Sequence, residues 1–349
     1  MKSVVVVGAG LIGTSIALGC KKFGAEVELF DKDLRAQKLA NDLVSNSKVD
    51  NPDLVVIATP INEVKNTFER VFQIYPNSVF IDTGSVKTKV EVELQSLGAM
   101  AENFCPTHPM AGRELDGAEA AQSDLFQGRA WVICPMAQTS HRAIDLAKSL
   151  IENLGAKSLE MRAAEHDLAV ARVSHLPQII SSLLAGQLTK GQESEFKLAG
   201  SGIIDTTRIA ASNSLLWNGI LMENKEAIMP LLIDFQNDLS TLIANFDSNV
   251  TEVLEKGNTG RKLLPGKHGA SKRNYIYLPI VIDDQPGQLA KLFEQCAVVN
   301  VSVEDLAIEH SPGQETGLIT LAINPEGAER LESHLKNAGW RVHPPRSEK

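Results

Sequence analysis

The chain of 349 residues is poor in the features that mark several protein classes. It has four cysteines, widely spaced and without a Cys-x-x-Cys pair: Cys20, Cys105, Cys134 and Cys296. This spacing argues against a disulfide framework or a zinc site. We therefore expect reduced, mostly buried thiols in a cytoplasmic protein, and no metal site.

Long apolar runs and an excess of positive charge are also missing. No uninterrupted apolar stretch reaches about 18 residues, so no membrane span is expected. The first strand signal begins so close to Met1 that no leader peptide is expected either. The formal net charge of −9 argues against nucleic acid as the main partner. The length and an apolar fraction of 43% fit a globular protein of two or three domains.

The most informative feature that is present lies at the N-terminus, where a short run of valines ends in Gly8-Ala9-Gly10-Leu11-Ile12-Gly13. An apolar helical stretch follows, and then a second strand that ends in Asp31. In such a βαβ unit the three glycines form the tight turn, admit the pyrophosphate and pack the helix against the strand. The helix N-terminus favours the phosphates, and the carboxylate accepts hydrogen bonds from the ribose. We predict NAD binding, with Thr59 and Pro60 as further cofactor contacts.

Asp31 also bears on the choice of dinucleotide. Its carboxylate repels the 2′-phosphate of NADP, which favours NAD. Lys32 and Arg35 follow closely in the sequence and offset part of that repulsion.

Strand and helix signals alternate over residues 1–158, which predicts a Rossmann-type α/β domain with a doubly wound parallel sheet. Apolar runs typical of strands buried on both faces occur at Val4–Val7, Val27–Phe30, Leu54–Ala58, Val79–Asp82, near Phe104 and at Trp131–Pro135. Strand signals stop near Gly155, so residues 159–255 are predicted to form an all-helical domain for substrate binding and dimerisation. Apolar residues recur there every three or four positions from Ile228 to Val253, as along a helix packed against another helix.

Two further segments complete the chain. Residues 256–273 contain six Lys or Arg, four glycines and one proline, and predict a basic linker. Residues 274–349 show signals in the order β-α-β-β-α-β, which predicts a small ferredoxin-like domain. Its candidate strands are Tyr275–Ile282, Val298–Val303, Leu306–Glu309, Leu318–Ile323 and Trp340–His343.

Two clusters in the first domain carry groups suited to chemistry. Ser85 and Lys87 follow a strand end, where open α/β sheets bind ligands, so we expect them to face the nicotinamide. Alternatively, Ser85 or Thr83 caps a helix. His108 precedes a turn with Pro and Gly, and an imidazole there can accept a hydroxyl proton as a hydride leaves the same carbon. Otherwise His108 is a polar loop residue.

A third cluster is spread over the helical domain. Gly200-Ser201-Gly202 opens a helix in a turn that favours anions. Arg208, about one turn further on, has the geometry to bind a carboxylate with two hydrogen bonds. His175 and Trp217 are candidates for pocket walls or for plain core.

Together these motifs resemble the prephenate and arogenate dehydrogenases of tyrosine biosynthesis. The resemblance covers roughly residues 1–255 and rests on Gly8–Gly13, Gly84-Ser85-Val86-Lys87, His108-Pro109-Met110-Ala111-Gly112, Ser174-His175-Leu176-Pro177, Asp205-Thr206-Thr207-Arg208-Ile209-Ala210 and Trp217. The paired His-Pro-Met-Ala-Gly and Ser-His-Leu-Pro motifs are its most specific part. The segment Asp283–Leu289 with Asn300 resembles an ACT domain, a small module that often binds an amino-acid effector.

The resemblance implies an NAD-dependent oxidative decarboxylation of prephenate to 4-hydroxyphenylpyruvate. His108 would draw the proton from the 4-hydroxyl while hydride leaves C4, and Ser85 would orient the hydroxyl or the nicotinamide. Arg208 and Ser201 would bind the substrate, with the pocket lined by His175 and Trp217.

The resemblance also implies a homodimer and feedback by tyrosine, for which Pro286, Gly287 and Asn300 are the expected contacts.

Three alternatives stay open at this point. Arogenate carries an ammonium group that needs a carboxylate partner, for which Asp205, Asp167 or Glu114 are candidates. A β-hydroxyacid or imine dehydrogenase usually places a lysine on the first long helix of its second domain, and residues 162–180 contain none. An NAD-sensing, amino-acid-responsive regulator would need a partner-binding element, and only the basic segment 256–273 offers one.

Overall fold

The computed structural model describes residues 1–112, 117–264, 275–309 and 315–347. The chain divides into two compact units, Met1–Lys262 and Leu263–Lys349. The strands are β1 Ser3–Val7, β2 Glu26–Phe30, β3 Leu54–Ile57, β4 Val79–Asp82, β5 Phe104–Cys105, β6 Thr107–Pro109, β7 Ala130–Ile133, β8 Lys157–Glu160, β9 Ile276–Asp283, β10 Val303–Glu309, β11 Thr316–Ile323 and β12 Arg341–Val342. The α-helices are α1 Leu11–Lys22, α2 Leu34–Val44, α3 Val64–Phe72, α4 Thr88–Gln95, α5 His141–Asn153, α6 Ala163–Val170, α7 Leu176–Leu188, α8 Glu193–Phe196, α9 Ser201–Thr207, α10 Ser214–Glu223, α11 Lys225–Ala244, α12 Phe246–Lys262, α13 Gln288–Val298 and α14 Pro325–Asn337.

A five-stranded parallel sheet lies at the centre of the first unit, with the strand order β2-β1-β3-β4-β5. Alternate residues of β1 face opposite sides of this sheet. Val4 and Val6 join an apolar cluster with α1 and α5, whereas Val5 and Val7 join another with α3 and α4. Helices thus cover both faces, which confirms the predicted Rossmann-type fold. The strand order reverses beside β1, and the carboxyl ends of the strands there are where such sheets bind ligands.

A second, smaller sheet differs from the prediction. The strand expected over Trp131–Pro135 exists as β7, but it pairs antiparallel with β6 and parallel with β8, outside the main sheet. The expectation that strands stop near Gly155 was wrong, because β8 follows. Its residues are mostly exposed, so β8 lacks the apolar run by which buried strands are recognised.

The long helix after this sheet contains a π-helical turn. α6, the π turn Ala171–His175 and α7 form one continuous helix from Ala163 to Leu188. Pro177 lies in the first turn of α7 and does not end the helix. Among the described residues, this is the one helix that is long and apolar enough to cross a membrane by length and composition. The sequence did not indicate it, because charged residues interrupt its apolar stretches. It also carries buried His166 and Asp167, which bond to other parts of the unit.

The apolar stripe predicted from Ile228 to Val253 runs along two helices, because α11 ends at Ala244 and α12 begins at Phe246. Ile228 is buried at the start of the stripe. Further along, Leu239 is 48% exposed and Phe246 is 59% exposed. Much of the stripe therefore lacks cover from the described residues of the first unit.

The segment predicted as a basic linker begins as helix. α12 continues to Lys262, although residues 256–262 contain two glycines. The Lys256 ammonium bonds both carboxylate oxygens of Asp238 on α11, at 3.2 and 3.0 Å. This exposed ion pair joins the two helices, and α12 continues beyond the boundary that composition indicated. Residues 265–273 of the predicted linker lie outside the described residues.

The second unit has an antiparallel sheet of order β10-β11-β9-β12 and the element order βαββαβ, as predicted for a ferredoxin-like domain. α13 and α14 share one apolar cluster with β9 and β11. The strand expected over Val298–Val303 was wrong. α13 ends at Val298, and Asn300 adopts a left-handed φ of 51° that turns the chain towards β10.

Candidate active site

The glycine-rich turn lies between β1 and α1, at the carboxyl end of the sheet. Gly8 has a φ of +118°, and a Cβ there would lie 2.3 Å from the Ala58 carbonyl oxygen. A Cβ at Gly13 would lie 2.0 Å from the Gly8 carbonyl oxygen, so the turn itself requires both glycines. Gly10 differs, because a Cβ there would meet nothing within 4 Å among the described residues. This open space lets a pyrophosphate approach the backbone.

Groups suited to the rest of a dinucleotide surround the turn. The Asp31 carboxylate accepts a hydrogen bond from the Ala9 N–H at 2.6 Å, which fixes it beside the turn with lone pairs left for ribose hydroxyls. Thr59 and Pro60 follow β3, and the Thr59 hydroxyl is buried without a hydrogen-bond partner in the described part of the chain. The first turn of α1 has no side-chain cap, so its N–H groups face an anion site. The residues present therefore fit NAD.

A fully buried ion pair lies where β4 ends. The Lys87 ammonium contacts the Asp82 carboxylate and donates to the Thr107 carbonyl at 2.8 Å. The other Asp82 oxygen accepts from the Thr107 N–H at 3.0 Å. Lys87 thus points into the protein and not towards the nicotinamide, which corrects the expectation for it. The pair instead ties the loop that carries half-buried Ser85 to the strand that carries His108.

The N-terminus of α4 is capped from a distant helix. Neither Ser85 nor Thr83 caps it, contrary to the alternative raised by the sequence. The Asp167 carboxylate accepts from the N–H groups of Lys87 and Thr88, both at 2.8 Å. α6 and the loop after β4 are therefore joined at this point.

His108 lies on β6 and contacts a second histidine. His108 Nδ1 is 2.8 Å from His166 Nε2, and His166 Nδ1 is 2.7 Å from Asp167 Oδ1. His166 is fully buried, whereas His108 is half-buried. Burial, together with the nearby His166 and the positive charge of Lys87, holds the pKa of His108 well below its ordinary value. The imidazole is therefore neutral near pH 7 and able to accept a proton.

Asp167 is held in its charged form. Burial by itself raises the pKa of its carboxyl group, but hydrogen bonds from His166, Thr88 and the Lys87 backbone outweigh burial and hold the pKa below its ordinary value. A carboxylate so engaged has little capacity left for a ligand. Asp167 is thus a poor partner for a substrate ammonium group.

The structure brings His175 and Trp217 into contact. Their rings meet edge to face, with centroids 6.1 Å apart. Asn224 donates from Nδ2 to His175 Nδ1 at 3.0 Å and to the Asp167 carbonyl at 2.9 Å. Burial lowers the pKa of His175 to about 4, so this imidazole is neutral as well. Asn224 is a member of the site that sequence reasoning missed.

Ser201 and Arg208 are exposed and lie at opposite ends of α9. The helix between them is about 10 Å long, so the two residues do not meet at one small group. The turn after Arg208 is tied to α7, because Gln178 donates to the Ile209 carbonyl at 2.9 Å. α7 continues directly from His175, so the turn after Arg208 is connected to the helix that carries this histidine. Their roles stay predictions.

The remaining candidates are dispersed. Gly287 precedes α13 with a φ of 89°, whereas Asn300 follows the end of that helix. The 11 residues of α13 span about 16 Å, so Pro286, Gly287 and Asn300 do not form one cluster within a chain. Asp205 is exposed on α9. Glu114 lies outside the described residues.

Comparison with known proteins gives two family models that match consecutive parts of the chain. One is described as the nucleotide-binding domain of prephenate dehydrogenase and matches residues 16–160. The other is described as the prephenate dehydrogenase dimerization domain and matches residues 162–257. A curated prephenate dehydrogenase from Lactococcus lactis is 30% identical over 338 residues, which cover 90% of this chain and 92% of that protein.

Two solved structures extend the comparison. Prephenate dehydrogenase from Aquifex aeolicus, in complex with hydroxyphenyl propionate and NAD+, is 27% identical with a TM-score of 0.67, covering 75% of this chain and 98% of that one. Synechocystis arogenate dehydrogenase is also 27% identical, with a TM-score of 0.62, covering 74% and 99%. The nucleotide turn, the buried histidine site and these matches together show that the chain belongs to the prephenate dehydrogenase family of NAD-dependent oxidoreductases.

Proposed function

We propose that this protein converts prephenate to 4-hydroxyphenylpyruvate and carbon dioxide, with His108 as the catalytic base. The observation that carries the proposal is a neutral, half-buried imidazole on β6, tied by the Asp82–Lys87 pair to the loop after β4. This loop follows the carboxyl end of the parallel sheet, the edge where the glycine turn opens. Bound NAD+ supplies the acceptor for the hydride that leaves C4 of the substrate.

His108 takes the proton of the 4-hydroxyl while the hydride departs, so C4 becomes a carbonyl carbon. Because Nδ1 of His108 is engaged by His166, Nε2 is the nitrogen that accepts this proton. The carbonyl is conjugated to C1 and draws electrons from the C1–carboxylate bond, which breaks to release carbon dioxide. The C4 oxygen then takes up a proton as the ring becomes aromatic. Base catalysis of this kind contributes about 10²–10⁴-fold to a rate.

Other residues of the chain bind and orient the substrate in this proposal. Arg208 binds a substrate carboxylate, and His175 with Trp217 forms an apolar wall that excludes water. Ser85 orients the 4-hydroxyl beside His108, a role supported by the ion pair that holds its loop against β6.

Arogenate stays the alternative substrate. The Aquifex prephenate enzyme and the Synechocystis arogenate enzyme are equally similar in sequence, at 27% each, so identity does not separate them. The engagement of Asp167 by His166 and by two backbone N–H groups favours prephenate, which brings no ammonium group. Family membership leaves no support for a hydroxyacid dehydrogenase or an NAD-sensing regulator.

The test is NADH formation at 340 nm by the purified protein with prephenate, beside arogenate and beside NADP+. We expect turnover with prephenate and NAD+, and a kcat lower by about 10²–10⁴-fold in His108→Asn with unchanged affinity for NAD+. His141→Asn, at an exposed histidine on α5, is the matched control. Turnover with arogenate alone would keep the mechanism and change the substrate, whereas no reduction of either dinucleotide would reject the proposal.

We further propose that the ferredoxin-like unit is an ACT-type domain that binds tyrosine near the Pro286-Gly287 turn and inhibits the enzyme. The Aquifex enzyme matches about three quarters of this chain over nearly its own full length, which supports a catalytic unit that functions without the remainder. A chain ending at Lys262 is therefore expected to keep its turnover number and to lose inhibition by tyrosine. Inhibition that persists in the shortened chain would place tyrosine elsewhere.

A cytoplasmic location is part of the proposal. All four cysteines are free and buried. Burial raises the pKa of the Cys20 and Cys134 thiols to about 12, so both stay protonated and unreactive. Unpaired thiols of this kind fit a reducing compartment.

A further inference from the structure

We infer that His166 and Asp167 are positioning residues that place the proton of His108 on Nδ1 and leave Nε2 as the base. The inference deepens the proposed function and rests on it, since it gives His108 a defined tautomer. Neither residue was assigned this role by the sequence motifs.

The argument begins at Asp167, whose orientation is set by the backbone. Its Oδ1 accepts from the Lys87 N–H and its Oδ2 from the Thr88 N–H, both at 2.8 Å. A carboxylate is an acceptor only, so the His166 Nδ1 at 2.7 Å from Oδ1 must carry a hydrogen and donate it. An imidazole with a single ring proton at this position therefore carries it on Nδ1.

The same reasoning applies to the ring of His108. With its single proton on Nδ1, the His166 ring presents a lone pair at Nε2. His108 Nδ1 lies 2.8 Å from that nitrogen, so His108 donates and carries its proton on Nδ1. If His166 instead carried its proton on Nε2, the lone pair of its Nδ1 would face the Asp167 carboxylate. Such an unpaired contact between two acceptors is costly inside a protein. Only the first order leaves His108 Nε2 free to accept the substrate proton.

The chain also stabilises the charge formed in the reaction. Once His108 is protonated, it still donates to His166, and the far side of His166 faces the Asp167 carboxylate. The ammonium of Lys87, which opposes a positive His108, is paired with Asp82. A buried cation is tolerated when it is hydrogen-bonded and linked to an opposite charge.

Two substitutions of His166 distinguish a positioning role of this residue from a role of its ring volume alone. His166→Phe keeps an aromatic ring but has no acceptor for the His108 N–H, and we expect kcat to fall by about 10–100-fold or more while affinity for NAD+ is kept. In His166→Gln the side-chain oxygen can take the place of Nε2, so we expect kcat to recover to within about tenfold of the wild type. His141→Gln, on the exposed start of α5, controls for the loss of a histidine. Equal kcat in His166→Phe and the wild type, or equal losses in the two variants, would overturn the inference.

A spectroscopic measurement decides the tautomer without turnover. The full-length protein, labelled with ¹⁵N-histidine and saturated with NAD+, is compared with the His108→Asn variant to assign the His108 signals. We expect the ¹⁵N shift of a protonated nitrogen at Nδ1 and of an unprotonated one at Nε2. A proton on Nε2 would overturn the inference even if prephenate is turned over. Failure of the proposed function would instead appear as no NADH formation by the wild type, so the two failures are distinguishable.

Discussion

Among single residues, the site depends on imidazoles that the protein keeps neutral. Burial is the largest cause that keeps His108 unprotonated, and the positive charge of nearby Lys87 adds to it. His175 is also neutral, with its pKa lowered to about 4 by burial. A histidine whose pKa is lowered stays unprotonated, and can therefore act as a base, at pH values well below neutrality.

The pH dependence of kcat/KM reports this directly. A base works in its unprotonated form, and the pKa of free His108 is lowered, so activity is present above that pKa and lost as the pH falls through it. We expect kcat/KM for prephenate to stay constant as the pH falls from neutrality to the ordinary histidine pKa of about 6.5, and to decline only below it. Steady-state rates in buffers of constant ionic strength measure this. An acid limb centred above 6.5 would contradict the assigned environment of His108.

The residues that could be predicted from sequence are those carried by local motifs. Ser85 follows a strand end, His108 precedes a turn with Pro and Gly, and the glycines form the turn after β1, so neighbouring residues indicate all of them. The contact of His108 with His166 joins residues 58 positions apart, and the bond of Asn224 to His175 joins residues 49 apart. Such pairs depend on how the elements pack, so composition and spacing do not reveal them.

Among the elements, the turn from β1 to α1 separates two uses of glycine. At Gly13 a side chain would collide with the backbone of the turn, whereas at Gly10 it would enter open space. Gly13 is therefore required by the fold, whereas Gly10 is required by the ligand.

Alanine substitutions test this division. We expect Gly13→Ala to lower the free energy of unfolding by about 1–3 kcal/mol, because the backbone must shift to admit the Cβ. Gly10→Ala should unfold at the wild-type temperature but bind NAD+ at least about tenfold more weakly, a loss of 1.4 kcal/mol. Thermal unfolding and calorimetric titration with NAD+ measure the two effects. Weakened folding in Gly10→Ala with intact NAD+ affinity would contradict this assignment.

The elements that sequence predicted well are those with one dominant signal. The buried parallel strands are continuous apolar runs, and both sheet faces are covered as expected. β8 was missed because an exposed strand has no such run. The break at Asn245 between α11 and α12 was missed because the apolar spacing continues across it.

At the scale of the whole molecule, α11 and α12 expose an apolar face to solvent in the single chain. Leu239 and Phe246 are about half exposed in the single chain, along a stripe with coiled-coil spacing. The matched dimerization-domain model covers this region. We therefore propose that two copies pack along it.

Sedimentation equilibrium tests the assembly. We expect a mass twice the 37.8 kDa of one chain. Leu239→Glu, at a position 48% exposed on α11, should shift the protein towards monomer because a charge enters the apolar interface. Leu43→Glu, at a position 47% exposed on α2, provides a control of equal exposure that should remain dimeric. A dimer unaffected by both substitutions would place the interface elsewhere.

The π-helical turn Ala171–His175 sets the direction of His175 relative to His166. His166 and His175 are nine positions apart, and at about 100° per residue a regular α-helix would place them on opposite faces. The wider turn holds one residue more than an α-helical turn, which brings His175 round towards Asn224 and the carbonyl of Asp167. A deletion of one residue here, for instance of exposed Val173, would let the turn relax to a regular α-helix with eight positions between the histidines, which places them about 80° apart and keeps both on the same side of the helix. The orientation of His175 therefore tolerates the loss of one residue from this turn, but not the conversion of the same 26 residues into a regular α-helix.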